Sequence, residues 1–239
     1  MYGWRARIGM VFPSRGDSFI YEFYQVVPEG VVLVPSIVGL FNLTKDELGA
    51  AILQYKAAAR DLAQVGVNAL ALTGSPVFQL QGFGSDLEMI REVEKETGIP
   101  TLTSVTAEVE ALRFLNMKRL VIATPFRDEV NERSAAWYRK AGFEVLKIKG
   151  LGIEKNSEIA CLPFYAPYQI ARETFLETPG AEGIYIACPR WGTIGIIEKL
   201  EQDLGVPVVS SSQATLWMAL RKAHVHERIN GYGRLMREG

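Results

Sequence analysis

Short apolar runs that stop at glycine, proline or serine alternate along this chain with segments whose apolar residues recur at helical spacing. The run from Arg5 to Phe12 predicts a first strand, and the breaker-rich stretch from Pro13 to Asp17 predicts the loop that follows it. Further strands are predicted at 30–35, 67–72 and 98–103. Apolar residues three or four positions apart predict helices from 44 to about 65, from 86 to 97 and from 107 to 115.

The second part of the chain repeats this pattern about 110 residues later: Arg119 to Pro125 matches 7–13, Glu182 to Cys188 matches 68–73, and Leu204 to Ser211 matches 97–104. Alternating strands and helices of this length form parallel sheets with helices on both faces. We therefore predict an α/β fold with two Rossmann-like or flavodoxin-like parallel-sheet halves, related by a pseudo-twofold axis.

The repeat also predicts the domains and the place of the site. Residues 1–116 with 213–239 form the first predicted half and 117–212 the second, and a last helix from near Ala214 crosses back to the first half. Ligands of open α/β sheets bind beyond the carboxyl ends of the strands. The predicted active site is therefore a cleft between the halves, lined by the loops at 13–17, 73–76, 125–128 and 188–193.

The composition and charge of the chain argue against binding to nucleic acid or to a membrane. The chain has 239 residues, of which 48% are apolar and 22% charged, and a formal net charge of −1 with no cluster of one sign. We expect neither nucleic acid nor membrane as a partner, and the oligomeric state stays open. No secretory or membrane-spanning segment is evident, and two cysteines cannot form a disulfide framework. A cytoplasmic location is the expectation.

Cys188 is the candidate catalytic residue. The buried strand from Gly183 to Ala187 ends at this thiol, and a loop with glycine and proline follows it. Arg190, two positions later, could lower the pKa of the thiol. The alternative is a structural role, because free cysteine is among the most buried residue types.

The repeat places Thr73 opposite Cys188. Two thiols in these positions could exchange protons on both faces of a carbon, which is two-base racemisation. A threonine hydroxyl is too weak an acid or base to take the second role. One thiol can still protonate a carbanion or attack an electrophilic carbon.

Other groups in these loops suit a carboxylate or an enediolate ligand. Hydroxyl and amide donors are predicted to surround the anion and arginines to supply positive charge; these are Ser14, Ser75, Thr193, the amides of Gly74 and Ser75, Arg15, Arg127 and Arg190. A small carboxylate is the expected substrate. The chain lacks nucleotide-binding motifs and histidine or carboxylate pairs at ligand spacing, so we expect no cofactor and no metal.

Three stretches carry a resemblance to a known family: Thr124 to Arg133, Gly183 to Cys188 and Leu204 to Ser212. In these the chain resembles the arylmalonate decarboxylase and maleate isomerase group of the aspartate/glutamate racemase superfamily, and it is most similar to the decarboxylases. The resemblance implies two Rossmann-like halves and chemistry without a cofactor. It also implies that Cys188 protonates the enediolate left when carbon dioxide departs, whereas isomerases and racemases have a second cysteine at the position of Thr73.

Two positions depart from the family pattern. Phe126 stands where the family has a tyrosine that binds the substrate carboxylate, and Pro189 has no N–H to offer an oxyanion. Phe12, Phe78, Phe126 and Trp191 could line an apolar pocket or pack in the core. The predicted function is a cysteine-dependent lyase or isomerase, decarboxylase-like. The alternatives are an activity like that of maleate cis–trans isomerase or of a racemase, and a catalytically silent ligand-binding relative.

Overall fold

The structure, a computed structural model, describes residues 2–40 and 45–239. Thr44, the predicted first residue of a helix, lies outside the described residues. Strands and helices alternate over the first part of the chain: β1 (Ala6–Phe12), α1 (Asp17–Val26), β2 (Val31–Ile37), α2 (Lys45–Gln64), β3 (Ala69–Leu72), α3 (Ser75–Gln81), α4 (Ser85–Thr97), β4 (Thr101–Thr103) and α5 (Ser104–Phe114).

The same alternation continues through the second part of the chain. It comprises β5 (Arg119–Thr124), α6 (Asp128–Lys140), β6 (Glu144–Gly150), α7 (Asn156–Ile159), α8 (Ala166–Leu176), β7 (Gly183–Ile186), α9 (Ile194–Leu204), β8 (Val208–Ser210), α10 (Ser211–Lys222) and α11 (Arg234–Glu238).

The strands form two four-stranded parallel sheets with one shared order. The first sheet runs β2-β1-β3-β4 and the second β6-β5-β7-β8. Equivalent strands therefore occupy equivalent positions: β1 lies between β2 and β3, and β5 lies between β6 and β7. This is the order with which flavodoxin-like sheets begin. The predicted α/β fold of two parallel-sheet halves is confirmed.

Packing divides the chain into two compact units. The first runs to Ala107 and includes Thr215–Glu227, and the second comprises Glu108–Ala214 and Arg228–Gly239. Residues 108–116, 213–214 and 228–239, predicted for the first half, thus group with the second unit. Within that unit the amides of Gly233 and Arg234 donate to the carboxylates of Glu198 and Glu201 on α9, which holds the last residues there.

Burial explains which strands could be predicted. All four residues of β3 and of β7 are buried, as are five of the six in β5, and such unbroken apolar runs are typical of parallel strands covered on both faces. The edge strand β6 was not predicted, because Lys147 and Lys149 interrupt its apolar residues. Both lysines form ion pairs with Glu177, the residue that follows α8.

Two further features concern membrane-spanning helices and groups of metal-ligating side chains. None of the helices in the described ranges is both long and apolar enough to cross a membrane. Across the same ranges, no three histidine, cysteine or acidic side chains are grouped so that they could hold a metal ion.

Candidate active site

In the first unit, the loops that follow β1 and β3 lie in contact. The Thr73 amide donates to the carbonyl of Val11 at 2.9 Å, which extends the pairing of these adjacent strands. Gly74 has φ +106°, and a Cβ at this position would lie 3.0 Å from Cγ of Pro13 and 3.2 Å from the Tyr55 hydroxyl. Only glycine combines this backbone conformation with so close an approach. The two loops are therefore held together at the carboxyl end of the sheet.

The hydroxyl of Thr73 already donates a hydrogen bond within the first sheet. Its hydroxyl donates to the carbonyl of Val11 at 2.9 Å. Tyr55 donates to the Thr73 carbonyl at 2.6 Å, and burial raises the pKa of Tyr55, so this phenol stays a donor. Thr73 can therefore accept a hydrogen bond from a ligand, but in this conformation it has no proton to give one.

Ser14 and Ser75 are the hydroxyls of this unit that suit an anion. Ser14 is 2% exposed, and its Oγ makes no hydrogen bond with any part of the chain that the structure describes. A buried hydroxyl without a partner costs free energy on folding, so such a group in a loop at the active end points to a ligand. Ser75 is half-buried, and its Oγ lies 3.0 Å from Oγ of Ser104 at the start of α5.

The three predicted arginines differ in their exposure to solvent. Arg15 forms an ion pair with Asp17 at 2.5 Å, and both side chains are 54% exposed. Arg127 is likewise exposed, whereas Arg190 is half-buried. A half-buried guanidinium is less screened by water than an exposed one, which makes Arg190 the stronger candidate for holding an anion.

In the second unit, Cys188 follows β7 in a constrained backbone conformation. The amide of Ala187 donates to the Ala123 carbonyl at 2.9 Å, and the indole N–H of Trp191 donates to the Ala187 carbonyl at 2.7 Å. Between these anchors Cys188 has φ +80°. For a residue with a Cβ this left-handed conformation costs about 1–2 kcal/mol, and strain of this kind collects at functional sites. Sequence reasoning found the thiol but not the strain.

The thiol of Cys188 is kept protonated. Burial raises its pKa to about 12. The amides of Arg190 and Trp191 and the charge of Arg190 lower the pKa, but by less, and the negative charge of Glu108 raises it further. Arg190 lowers the pKa of this thiol, as expected, but the effect of desolvation is larger, so the net shift is upward. At neutral pH the group is an acid that holds its proton, and it is a poor nucleophile.

Pro189 follows Cys188 in the chain, and Phe126 lies two residues beyond the end of β5, the strand that pairs with β7. The backbone of Phe126 is fixed by Thr124 and Asn131: its amide donates to the Thr124 hydroxyl at 3.1 Å, and its carbonyl accepts from the Asn131 amide at 3.3 Å. Both Phe126 and Pro189 are half-buried. Phe12, Phe78 and Trp191 are each at most 2% exposed, which is the core packing that the sequence left as an alternative.

The sequence analysis does not predict a buried polar cluster whose carboxylate raises the pKa of Cys188. Glu108 of α5 is fully buried and accepts hydrogen bonds from Tyr138 of α6 at 2.6 Å and Ser211 of α10 at 2.5 Å. Ser212 is 1% exposed, and its hydroxyl has no partner among the described residues. In the sequence, the serine run that ends at Ser212 carries only a family resemblance, while Glu108 stands in a helix with one other acidic residue, Glu110, and looks like a surface position.

Comparison with known proteins decides the family. The family model described as arylmalonate decarboxylase matches residues 8–236. The chain belongs to the arylmalonate decarboxylase family. Among its relatives, the arylmalonate decarboxylase of Bordetella bronchiseptica is 30% identical over 97% of this chain and 96% of its own. A maleate isomerase of Pseudomonas putida is 25% identical over 96% of each chain.

Solved structures agree with this assignment. Unliganded arylmalonate decarboxylase superposes with a TM-score of 0.87 at 29% identity, covering 98% of this chain and 100% of that one. As a member of the arylmalonate decarboxylase family, with a decarboxylase and isomerases among its relatives, the protein is an enzyme of this lyase and isomerase group. The predicted site residues fall into two sets, at the ends of β1 and β3 and at the ends of β5 and β7. That the two sets face one another stays a prediction.

Proposed function

We propose that this enzyme decarboxylates a small α-substituted malonate without a cofactor and that Cys188 delivers the proton to the α-carbon. The observation that carries the proposal is the buried Cys188 thiol, whose pKa is raised to about 12. A protonated thiol is suited to giving a proton to a strong carbon base and is poorly suited to attacking carbon. The name of the relative from Bordetella bronchiseptica supplies the substrate class.

Binding comes first. One carboxylate of the malonate is held by the hydroxyls of Ser14 and Ser75 and by the backbone N–H groups of Gly74 and Ser75. The half-buried guanidinium of Arg190 supplies positive charge. Arg15 does not bind the carboxylate in this proposal, because its side chain is exposed and forms an ion pair with Asp17. Phe126 has no donor and adds apolar surface, which suits an aryl or branched substituent on the α-carbon.

Loss of carbon dioxide follows. The bond between the α-carbon and the second carboxylate breaks, and its electron pair moves into the carboxylate that is retained, giving an enediolate. The donors around that carboxylate stabilise the charge that develops on it. The retained carboxylate is itself the electron sink, so the chemistry requires no further group.

Protonation completes the turnover. The S–H bond of Cys188 breaks, the proton forms a C–H bond at the α-carbon, and the electron pair stays on sulfur. The thiolate then takes a proton from water. In total a malonate dianion and one proton give a monocarboxylate and carbon dioxide.

Replacement of Ser14 by alanine tests the binding step. Ser14→Ala removes a donor to the substrate carboxylate, and we expect kcat/KM for phenylmalonate to fall about 10²-fold, near the effect of removing one oxyanion donor. The same change removes a buried hydroxyl that has no partner, so the free energy of unfolding should rise by about 1 kcal/mol. Carbon dioxide release and chemical denaturation measure the two effects.

Ser85→Ala is the matched control. Ser85 donates to the Phe78 carbonyl at 3.0 Å, so its replacement should lower the free energy of unfolding and leave kcat/KM unchanged. Unchanged kinetics in Ser14→Ala contradict the proposed carboxylate site. Turnover of maleate and not of phenylmalonate by the unmodified enzyme contradicts the proposed reaction.

A further inference from the structure

One buried carboxylate of the second unit, that of Glu108, has no role in the mechanism above. Glu108 is fully buried, and its Oε2 and Oε1 accept hydrogen bonds from Tyr138 at 2.6 Å and Ser211 at 2.5 Å. An ionised carboxylate only accepts hydrogen bonds, so two donating hydroxyls suit the charged form. Burying such a charge is costly, and a group kept at that cost calls for an explanation.

The register of the second sheet places this cluster next to the Cys188 loop. Ile186, the last residue of β7, pairs with Ser210, the last residue of β8. Ser211, the first residue of α10, directly follows the end of β8, and Cys188 lies two positions beyond Ile186. The hydroxyl that holds Glu108 is thus attached to the strand end beside the thiol. Tyr185 of β7 packs against Tyr138 with ring centroids 5.1 Å apart, so the cluster spans both strands.

The charged groups that act on the thiol have opposite signs. Glu108 on α5 supplies the negative charge, and Arg190 on the thiol's own loop the positive charge. Tyr138 and Tyr185 are the other titratable groups of the cluster; burial and the charge of Glu108 raise the pKa of both, so both stay neutral donors. The pKa of the thiol is therefore set by burial, by the amides of Arg190 and Trp191 and by these two charges.

We propose that Glu108 is a positioning residue for the proton donor: its buried negative charge keeps Cys188 in the thiol form and selects proton transfer over nucleophilic attack by sulfur. The proposal rests on the proposed function of Cys188. A thiolate beside a fixed carboxylate is unfavourable, so the sulfur regains its proton after each turnover. The same repulsion suppresses addition of sulfur to a carbon–carbon double bond, which is a reaction that requires the thiolate.

The test is the rate of alkylation of Cys188 by iodoacetamide, measured without substrate. In a Cys161→Ala background only Cys188 can react, because these are the two cysteines of the chain. Glu108→Gln keeps the shape of the side chain and removes its charge. A nearby charge shifts a pKa by about one unit or more, so alkylation at a fixed pH between 8 and 10 should become at least about tenfold faster. Glu108→Asp keeps the charge and should stay slow.

Glu110→Gln is the control on the same helix, since Glu110 forms a surface pair with Arg113 and its loss should leave the rate unchanged. If the glutamine variant does not fold, the double variant Glu108→Leu with Tyr138→Phe removes the charge and one of its donors together, and it should also alkylate faster. Equal rates in the charge-removing variants and the parent overturn the proposal.

The pH dependence of decarboxylation gives a second readout that a structural role would not produce. In Glu108→Gln the rate should begin to fall at a lower pH than in the parent, as the acid loses its proton. Full activity of a Cys188→Ala variant would overturn the proposed function alone, because the alkylation result does not depend on turnover.

Discussion

Cys188→Ala should lose decarboxylase activity by about 10²–10⁴-fold and still fold, since a positioned general acid contributes an effect of this size. The Cys188 sulfur is the only thiol at the carboxyl ends of the described strands, and burial keeps it protonated with a pKa raised to about 12. Alanine retains the backbone conformation at φ +80° at similar strain, so the melting temperature should shift by only a few degrees. Carbon dioxide release and thermal unfolding provide the measurement.

Two controls accompany this variant. Cys161 is exposed, and Cys161→Ala should keep full activity. Cys188→Ser supplies a hydroxyl, which is a far weaker acid than a thiol, and should be nearly as inactive as the alanine variant. If Cys188→Ala keeps the parental rate, another group or water protonates the carbon, and the single-thiol mechanism is excluded.

Thr73→Cys should add a reaction that the parent lacks. With a thiol on each face of the α-carbon, one sulfur can take the proton while the other gives one. We expect the variant to exchange the α-hydrogen of a chiral α-aryl carboxylate for deuterium in D₂O and to racemise it. Loss of the hydrogen bond from Thr73 to the Val11 carbonyl should cost about 1 kcal/mol of folding free energy. Proton NMR follows the exchange, and chiral chromatography follows the racemisation.

Thr73→Ser is the matched control, because it keeps the hydroxyl and provides no thiol. It should show no exchange above the parental level. Exchange in Thr73→Cys should also disappear when Cys188 is replaced by alanine in the same chain. If Thr73→Cys folds and shows no exchange while the parent decarboxylates, positions 73 and 188 do not act on opposite faces of one carbon.

The repeat was predictable because parallel strands that are buried on both faces have unbroken apolar sequences. β3, β5 and β7 were found for that reason, whereas β6 was missed because lysines alternate through it. The sequence predicts a loop at 73–76, whereas α3 begins at Ser75, because Ser75 and Pro76 are turn residues as well as residues that begin a helix. Local patterns of apolar and polar residues therefore predict the fold, but they do not distinguish two local structures that have the same pattern, such as a turn and the first turn of a helix.

The chemical state of the site was harder to predict than its residues. Arg190 was found as a neighbour of Cys188, but the sequence does not show that desolvation outweighs its charge. Glu108 was missed because its donors, Tyr138 and Ser211, lie 30 and 103 positions away along the chain. Such interactions depend on packing between distant segments, and no local pattern reports them.

The handedness of the product tests the central claim most directly. A malonate that carries one aryl and one methyl group on its α-carbon gives a chiral acid when it loses one carboxylate. One thiol fixed on one face of the enediolate should deliver the proton from that face, so the unmodified enzyme is predicted to give one enantiomer in large excess by chiral chromatography. Racemic product formed at the enzymatic rate would show that the proton reaches the carbon from both faces and would contradict Cys188 as the donor.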